Sequence, residues 1–153
     1  MIVYRLAKEI YSGDLSGKGA EKSGGRWNSR GVAMVYTSES RALCTAEIAV
    51  HTPLGILPKD YQLITIEIPD GIKTRKILSN ELPADWNSIP HSGKTQELGD
   101  FFIKENEFAV MKVPSAVVQG DSNYLINPNH QDTGEIQILK IEPFIFDQRM
   151  FIR

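Results

Sequence analysis

The 153-residue sequence has little of what disulfides, metal sites and membrane spans require. Cys44 is the only cysteine, so no intrachain disulfide can form and nothing demands an oxidising compartment. The histidines, His51, His91 and His130, lack the paired spacing of metal ligands. No apolar stretch approaches the roughly 18 residues of a membrane-spanning helix, and the first residues do not resemble a secretory signal. These absences predict a cytoplasmic protein with no metal site and no membrane span.

Charge of one sign is not in excess either. Seventeen Lys and Arg against nineteen Asp and Glu leave a formal net charge of −2, so no overall basic field attracts nucleic-acid phosphates. We therefore expect no direct nucleic-acid binding. Residues 1–30 nevertheless hold six basic and three acidic residues, a local net charge of +3. Unless this asymmetry is chance, an anionic ligand would bind toward the N-terminal segment.

What is present is the composition of one globular domain. With 41% hydrophobic and 24% charged residues, a chain of this length can bury its own core, so residues 1–153 are interpreted as a single domain. The predicted strands cover residues 2–6, 32–36, 62–68, 74–78, 108–113, 116–118, 124–126, 136–141 and 144–146, and the two principal helices 40–51 and 93–104. Because the strands come without regular βαβ spacing, we expect an α+β domain with a mixed, largely antiparallel sheet.

The helix predicted over residues 40–51 carries a carboxylate in its apolar stripe. Leu43, Ala46, Glu47 and Val50 recur at helical spacing, and Cys44 beside them is interpreted as a small buried hydrophobe. A buried carboxylate requires partners. Glu47 therefore either faces a polar cavity or reaches solvent or an arginine at the helix boundary.

The common nucleotide-binding and hydrolase motifs are absent. A glycine-rich polar segment that ends at Gly25 is predicted to be a long loop, but it contains neither a dinucleotide-binding nor a P-loop pattern. Ser115 lacks the surroundings of a nucleophile elbow, and Cys44 lies within a predicted helix. Rossmann and P-loop sites are excluded, and serine or cysteine hydrolysis is a weak hypothesis.

Six short segments, taken together, resemble the RES domain family. They occur in the family's order and span about residues 4–141: GGRWN at 24–28, VYTS at 35–38, ALCTAE at 42–47, TQELGD at 95–100, VPS at 113–115 and NYLINP at 123–128. The Cys44-Thr45 pair departs from the small or aliphatic residues usual in that helix, which should disturb packing little.

The resemblance implies a bacterial toxin of a two-gene toxin–antitoxin pair. It implies a fold similar to ADP-ribosyltransferases, NAD as substrate with no separate cofactor, and an antitoxin partner with an Xre-type helix-turn-helix domain. Such complexes are commonly multimeric, which makes an oligomer with the antitoxin possible, but the oligomeric state is not readable from the sequence. The family's Arg, Glu and Ser correspond to Arg26, Glu47 and Ser115, which are therefore our candidate catalytic residues.

The chemistry of NAD cleavage suits these three residue types. Nicotinamide leaves as a neutral molecule, so no general acid is needed, and a fixed carboxylate such as Glu47 can stabilise the oxocarbenium-like ribose. Arg26 could grip the diphosphate or ribose oxygens with its bidentate fork. Ser115, which follows a proline that interrupts strand pairing, could hold the carboxamide or a ribose hydroxyl, or could be a plain turn serine.

Four further residues are candidate substrate-binding residues with structural alternatives. Tyr36 could stack on nicotinamide and offer its hydroxyl, or be a core aromatic. Trp27 and Asn28 could shape the pocket wall beside Arg26, or pack internally. Asn127, which precedes a proline, could contact ligand, although a loop-capping role is favoured.

Three functions follow from these residues. The leading hypothesis is NAD consumption, with water or phosphate attacking the anomeric carbon. The second is ADP-ribosylation of a target protein through the same bond cleavage. The third, of another class, is a non-catalytic module whose pocket binds a nucleotide. Glu47→Gln separates the third hypothesis from the other two, because the substitution preserves shape and removes charge.

Overall fold

A computed structural model describes residues 1–153, which form one seven-stranded sheet and three helices. The strands are β1 (Ile2–Lys8), β2 (Val35–Ser38), β3 (Tyr61–Glu67), β4 (Thr74–Lys76), β5 (Val110–Pro114), β6 (Ser122–Ile126) and β7 (Gln137–Phe144). The helices are α1 (Lys18–Ser23), α2 (Arg41–His51) and α3 (Gly93–Glu105). The spatial order is β4-β5-β6-β2-β1-β3-β7, and only the β4–β5 pair is parallel. The predicted α+β class with a largely antiparallel sheet is confirmed.

Several predicted strand positions are wrong. The segment predicted as a strand at residues 116–118 is a turn, because the Ser115 hydroxyl accepts the backbone N–H groups of Val117 and Val118 at 3.0 Å. The strand predicted at 32–36 lies at Val35–Ser38. The two pieces predicted at 136–141 and 144–146 form the single strand β7, and residues 145–146 lie beyond it.

The long loop predicted before Gly25 contains helix α1. A six-residue helix is too short to stand out by periodicity or to be stable alone. Tertiary bonds hold it: the Asn28 side chain donates to the Ala20 carbonyl at 2.8 Å, and the Gly31 N–H donates to the Glu21 carbonyl at 2.8 Å. These contacts come from residues beyond the helix, so local sequence did not indicate them.

Helix α2 begins at a side-chain cap and lies over β1. The Ser40 hydroxyl accepts the Leu43 N–H at 3.0 Å and so caps the helix. The inward residues are Leu43 and Cys44, whereas Val50 is 60% exposed, which contradicts its predicted inner position. Glu47 is half-buried at the edge of the inner face.

We call the face of the sheet that carries Tyr36, Ser38 and Asn123 the front face. The strand register places two separate apolar clusters on this face. One apolar cluster lies beneath α2 and includes Leu6, Cys44, Leu63, Phe146 and Phe151. A second lies on β5 and β6 and includes Trp27, Met34, Ile77, Phe102, Met111, Val113 and Leu125. Ser38 pairs with Tyr4 on one side and with Asn123 on the other. Polar side chains of β2 and β6 therefore lie between two apolar clusters on the same face.

No helix of the structure combines the length and the apolar composition that crossing a bilayer demands.

Burial of Cys44 predicts an alkaline loss of stability. Its thiol donates to the Tyr4 carbonyl at 3.1 Å, and burial raises the thiol pKa to about 11. The unfolded chain, with a thiol pKa of about 8.5, loses this proton first as pH rises, so the free energy of unfolding should fall by about 1 to 2 kcal/mol by pH 10. Urea unfolding at pH 7 to 10 measures this slope. Cys44→Ala should flatten it, and parallel curves for the two proteins would contradict the prediction.

Candidate active site

Arg26 lies at the tip of a tight turn between Gly25 and Asn28. The Gly25 N–H donates to the Asn28 carbonyl at 2.9 Å, and the two residues form an isolated antiparallel bridge. Trp27 points into the apolar cluster on β5 and β6 and is 3% exposed. The turn is thus anchored by Trp27, and the neighbouring Arg26 stays half-buried.

Helix α3 holds this turn from outside. Gln96 donates from Nε2 to the carbonyls of Gly25 at 3.0 Å and Asn28 at 3.1 Å. One turn further along α3, Asp100 accepts the Ser29 backbone N–H at 2.9 Å and the Ser29 hydroxyl at 2.6 Å. Positions 96 and 100 share one helix face, so α3 fixes the turn at both ends.

The Arg26 guanidinium is partly committed to the protein. Its Nη1 donates to the carbonyl of Trp86 at 2.9 Å and that of Ser88 at 3.0 Å, which leaves Nε and Nη2 without protein partners. Burial lowers the Arg26 pKa, and the nearby Glu47 and Tyr36 oppose this effect.

Glu47 reaches the middle of the front face from α2. Its Oε1 accepts the Ser115 hydroxyl at 3.0 Å and the Asn123 Nδ2 at 2.8 Å. Its Oε2 has no hydrogen-bond partner in the protein. Of the interpretations open from sequence, the structure favours a polar environment, because neutral donors rather than an arginine bind the carboxylate.

Ser115 is 3% exposed, and its hydroxyl is fully used. It donates to Glu47 Oε1 and accepts the N–H groups of Val117 and Val118. In this structure no donor or acceptor position of the hydroxyl is left for a carboxamide or a ribose hydroxyl, so direct contact between Ser115 and a ligand stays a prediction. The contact that the structure does show is the one with Glu47.

No three His, Cys, Asp or Glu side chains converge as metal ligands would. Surface cavities of about 630 Å³ beside residues 147–153 and about 460 Å³ along α3 contain none of the candidate residues. Arg26 and the open oxygen of Glu47 are the groups that this site offers to a ligand. One is a cation and the other a carboxylate, which suits a substrate with both anionic and developing cationic parts.

The sequence of this chain matches the RES domain profile over residues 2–147. The chain belongs to the RES domain family. Among its relatives is a Sphingobium protein named "Prs ADP-ribosylating toxin", 37% identical over 94% of this chain and 91% of its own length. Another, named "Toxin Res", from Photorhabdus laumondii, is 34% identical over 98% of this chain and 97% of its own.

A solved structure shares the fold of this RES domain. It is a chain of the M. tuberculosis MbcT–MbcA toxin–antitoxin complex, with a TM-score of 0.75 and 21% sequence identity. The superposition covers 94% of this chain and 84% of the other. At this identity the likeness shows the fold.

Three predicted substrate-binding residues are scaffold residues of the Arg26 turn. Asn28 is fully buried, and its Nδ2 donates to the Ala20 and Val32 carbonyls at 2.8 and 2.9 Å. The Tyr36 hydroxyl donates to Asn28 Oδ1 at 2.6 Å and accepts the Trp27 N–H at 3.1 Å. The structure therefore shows an internal role for all three residues, and direct ligand contact by any of them stays a prediction. Burial raises the Tyr36 pKa, so the hydroxyl keeps its proton, and stacking of its ring stays a prediction.

Asn127 is also a structural residue. It is fully buried, its Nδ2 donates to Asn106 Oδ1 at 2.8 Å, and its Oδ1 accepts the Asn129 N–H at 3.0 Å. The favoured loop-capping role is confirmed, and contact with substrate stays a prediction.

Sequence reasoning missed Ser38, Gln96, Asp100 and Asn123 as parts of the site. All four lie in the VYTS, TQELGD and NYLINP segments, so the resemblance marked their neighbourhood without assigning a role. Their roles depend on partners more than 65 residues away in the chain, such as Gly25 for Gln96 and Glu47 for Asn123. No local pattern carries that information.

Gly99 allows α3 to approach the Arg26 turn. A Cβ at this position would overlap the Trp27 carbonyl, a backbone atom that cannot turn aside. Gly99→Ala should therefore destabilise the fold by about 1 to 3 kcal/mol, although alanine favours a helix, and should displace Arg26. Thermal unfolding measures this cost. The matched control is Gly93→Ala in the same helix, where an added Cβ meets open space. Equal stability of the two variants would contradict the predicted close contact.

Proposed function

We propose that this RES domain is the toxin of a toxin–antitoxin pair and that it cleaves NAD at the bond between nicotinamide and ribose. The relatives named as toxins support the first part. The single observation that carries the second is the Glu47 carboxylate, held through one oxygen by Ser115 and Asn123 while the other oxygen has no protein partner.

The chemistry requires charge stabilisation rather than proton transfer in its first step. As the bond breaks, its electron pair neutralises the pyridinium ring, and nicotinamide leaves while positive charge develops on the ribose. The open Oε2 of Glu47 would face this developing charge. A preorganised carboxylate costs no rearrangement at that moment, which is the main source of its catalytic effect.

Arg26 would bind the anionic part of the substrate. Its Nη1 holds the carbonyls of residues 86 and 88, so Nε and Nη2 remain to donate to diphosphate oxygens. The same bonds fix the direction of the guanidinium plane. Arg26 also lies in the segment with the positive local charge. Ser115 would serve the reaction by holding Glu47.

The acceptor of the ADP-ribose is water or phosphate in the leading proposal. Transfer to a protein side chain is the second candidate, and the name of the Sphingobium relative, "Prs ADP-ribosylating toxin", favours it. Both proceed through the same cleavage at the anomeric carbon. The residues that we assign to that cleavage do not depend on which acceptor follows.

Glu47→Gln should lower the rate of nicotinamide release about 10²- to 10³-fold, because the amide keeps the shape and removes the stabilising charge. Chromatography of NAD and nicotinamide over time measures the rate. Glu21→Gln, at an exposed position of α1, is the matched control and should remain active. NAD that stays intact with the unaltered protein under all conditions would refute the cleavage. Growth inhibition that survives Glu47→Gln would favour the non-catalytic binding module.

The acceptor is identified with labelled NAD. The protein is incubated with labelled NAD in buffer alone, in buffer with phosphate and in a cell lysate. NAD should be consumed in the first two incubations, and no protein should become labelled. The products would be ADP-ribose with water and its phosphorylated form with phosphate. A labelled protein band in the lysate, with slow loss of NAD in buffer, would replace the leading proposal by the second.

We also propose an antitoxin partner with an Xre-type helix-turn-helix domain, encoded by the neighbouring gene. The solved relative comes from a toxin–antitoxin complex, which supports a partner of this kind. When tagged Glu47→Gln protein is produced together with the neighbouring gene, the antitoxin that this gene encodes should co-purify with the tagged protein. Binding of DNA should require the antitoxin. Mass measurement of the complex would also report whether it is an oligomer. Purification of the tagged chain alone would contradict the pairing.

A further inference from the structure

We propose that Ser38 and Asn123 are a positioning pair that fixes the Glu47 carboxylate with Oε2 toward the substrate. This inference rests on the proposed NAD cleavage. The Ser38 hydroxyl donates to Asn123 Oδ1 at 2.8 Å, and Asn123 Nδ2 donates to Glu47 Oε1 at 2.8 Å. A buried strand residue thus connects through one amide to the candidate catalytic group.

The direction of this chain of hydrogen bonds follows from the groups involved. A flipped Asn123 amide would turn its carbonyl oxygen toward the carboxylate oxygen and replace a hydrogen bond by repulsion between two acceptors. The Ser38 hydroxyl donates to the carbonyl end and so favours the productive orientation. Asn123 therefore presents an N–H to Glu47.

The strand register creates the pair. Ser38 and Asn123 are directly opposite residues of β2 and β6, so their side chains lie on the same face at short distance. Ser38 is 5% exposed, which removes competing water from its hydroxyl. Thr37, its neighbour in the chain, points to the opposite face and donates to the Tyr124 carbonyl at 2.6 Å.

The two donors on Oε1 come from different elements. Ser115 approaches from the turn after β5 and Asn123 from β6, so together they restrain rotation of the carboxylate. Neither donor contacts Oε2. Loss of Asn123 should therefore impair the transition state more than the binding of NAD, which Arg26 and other contacts provide.

Kinetics of five variants test the role. Asn123→Ala should lower kcat about 10- to 100-fold, the effect of one lost hydrogen bond to a charged group. Ser38→Ala loses a hydrogen bond to a neutral amide and should lower kcat about 3- to 10-fold, and both variants should change KM by less than about threefold. The double variant should be no slower than Asn123→Ala, because Ser38 acts through Asn123. Ser38→Thr keeps the hydroxyl and should restore most of the activity. Thr37→Ala, which removes an equally buried hydroxyl from the opposite face, should lower Tm and leave kcat unchanged.

A signal from the Asn123 side chain tests the contact without turnover. In nuclear magnetic resonance spectra, one Nδ2 proton should be shifted downfield by the carboxylate, and Glu47→Ala should move it upfield. If Glu47→Ala leaves the resonance unchanged, the positioning proposal is wrong whether or not NAD is the substrate. If the resonance moves but the unaltered protein never cleaves NAD, the proposed function fails and the contact stands. Active protein with unchanged kcat in Asn123→Ala would overturn the positioning role.

Discussion

The hydrogen bonds to one oxygen of Glu47 connect the parts of this molecule that matter for its chemistry. They join α2 to the turn after β5 through Ser115 and to β6 through Asn123. A charged group at a half-buried position is tolerated only when donors replace lost water, and two neutral donors provide that replacement. Since they use one oxygen, the other oxygen stays open. The same contacts thus stabilise the local structure and present a fixed carboxylate.

A second set of contacts fixes the position of the positively charged Arg26. Arg26 is carried by a short turn, which alone would be mobile, and four separate interactions restrain it. Trp27 is buried in the apolar cluster on β5 and β6. Gln96 and Asp100 bind the turn from α3, and the Arg26 side chain donates to the carbonyls of residues 86 and 88. The close approach of α3 requires a glycine at position 99. Preorganisation of both charges is the property that electrostatic catalysis needs.

Membership of the RES family and the detailed geometry lead to different kinds of conclusion. The family relation concerns nearly the whole chain and carries the proposals about a toxin role and an antitoxin. The geometry concerns individual atoms and changes the roles assigned by resemblance. Ser115 becomes a residue that holds Glu47, Tyr36 and Asn28 become internal partners of the Arg26 turn, and Asn123 with Ser38 enters the site.

The α+β class, helices α2 and α3, most strands and the burial of Cys44 could be predicted from the sequence, because they follow from periodicity and capping residues, which are local properties of the chain. The candidate trio Arg26, Glu47 and Ser115 came from the resemblance of short segments to the RES family. The tertiary structure alone makes residues 116–118 a turn, forms α1 and sets which face of α2 is buried. It also decided which polar atoms are already used, as in Asn28 and Asn127. The reason is physical: strand register and helix packing bring together groups some 70 residues apart, such as Glu47 with Ser115, and no local pattern encodes such pairings.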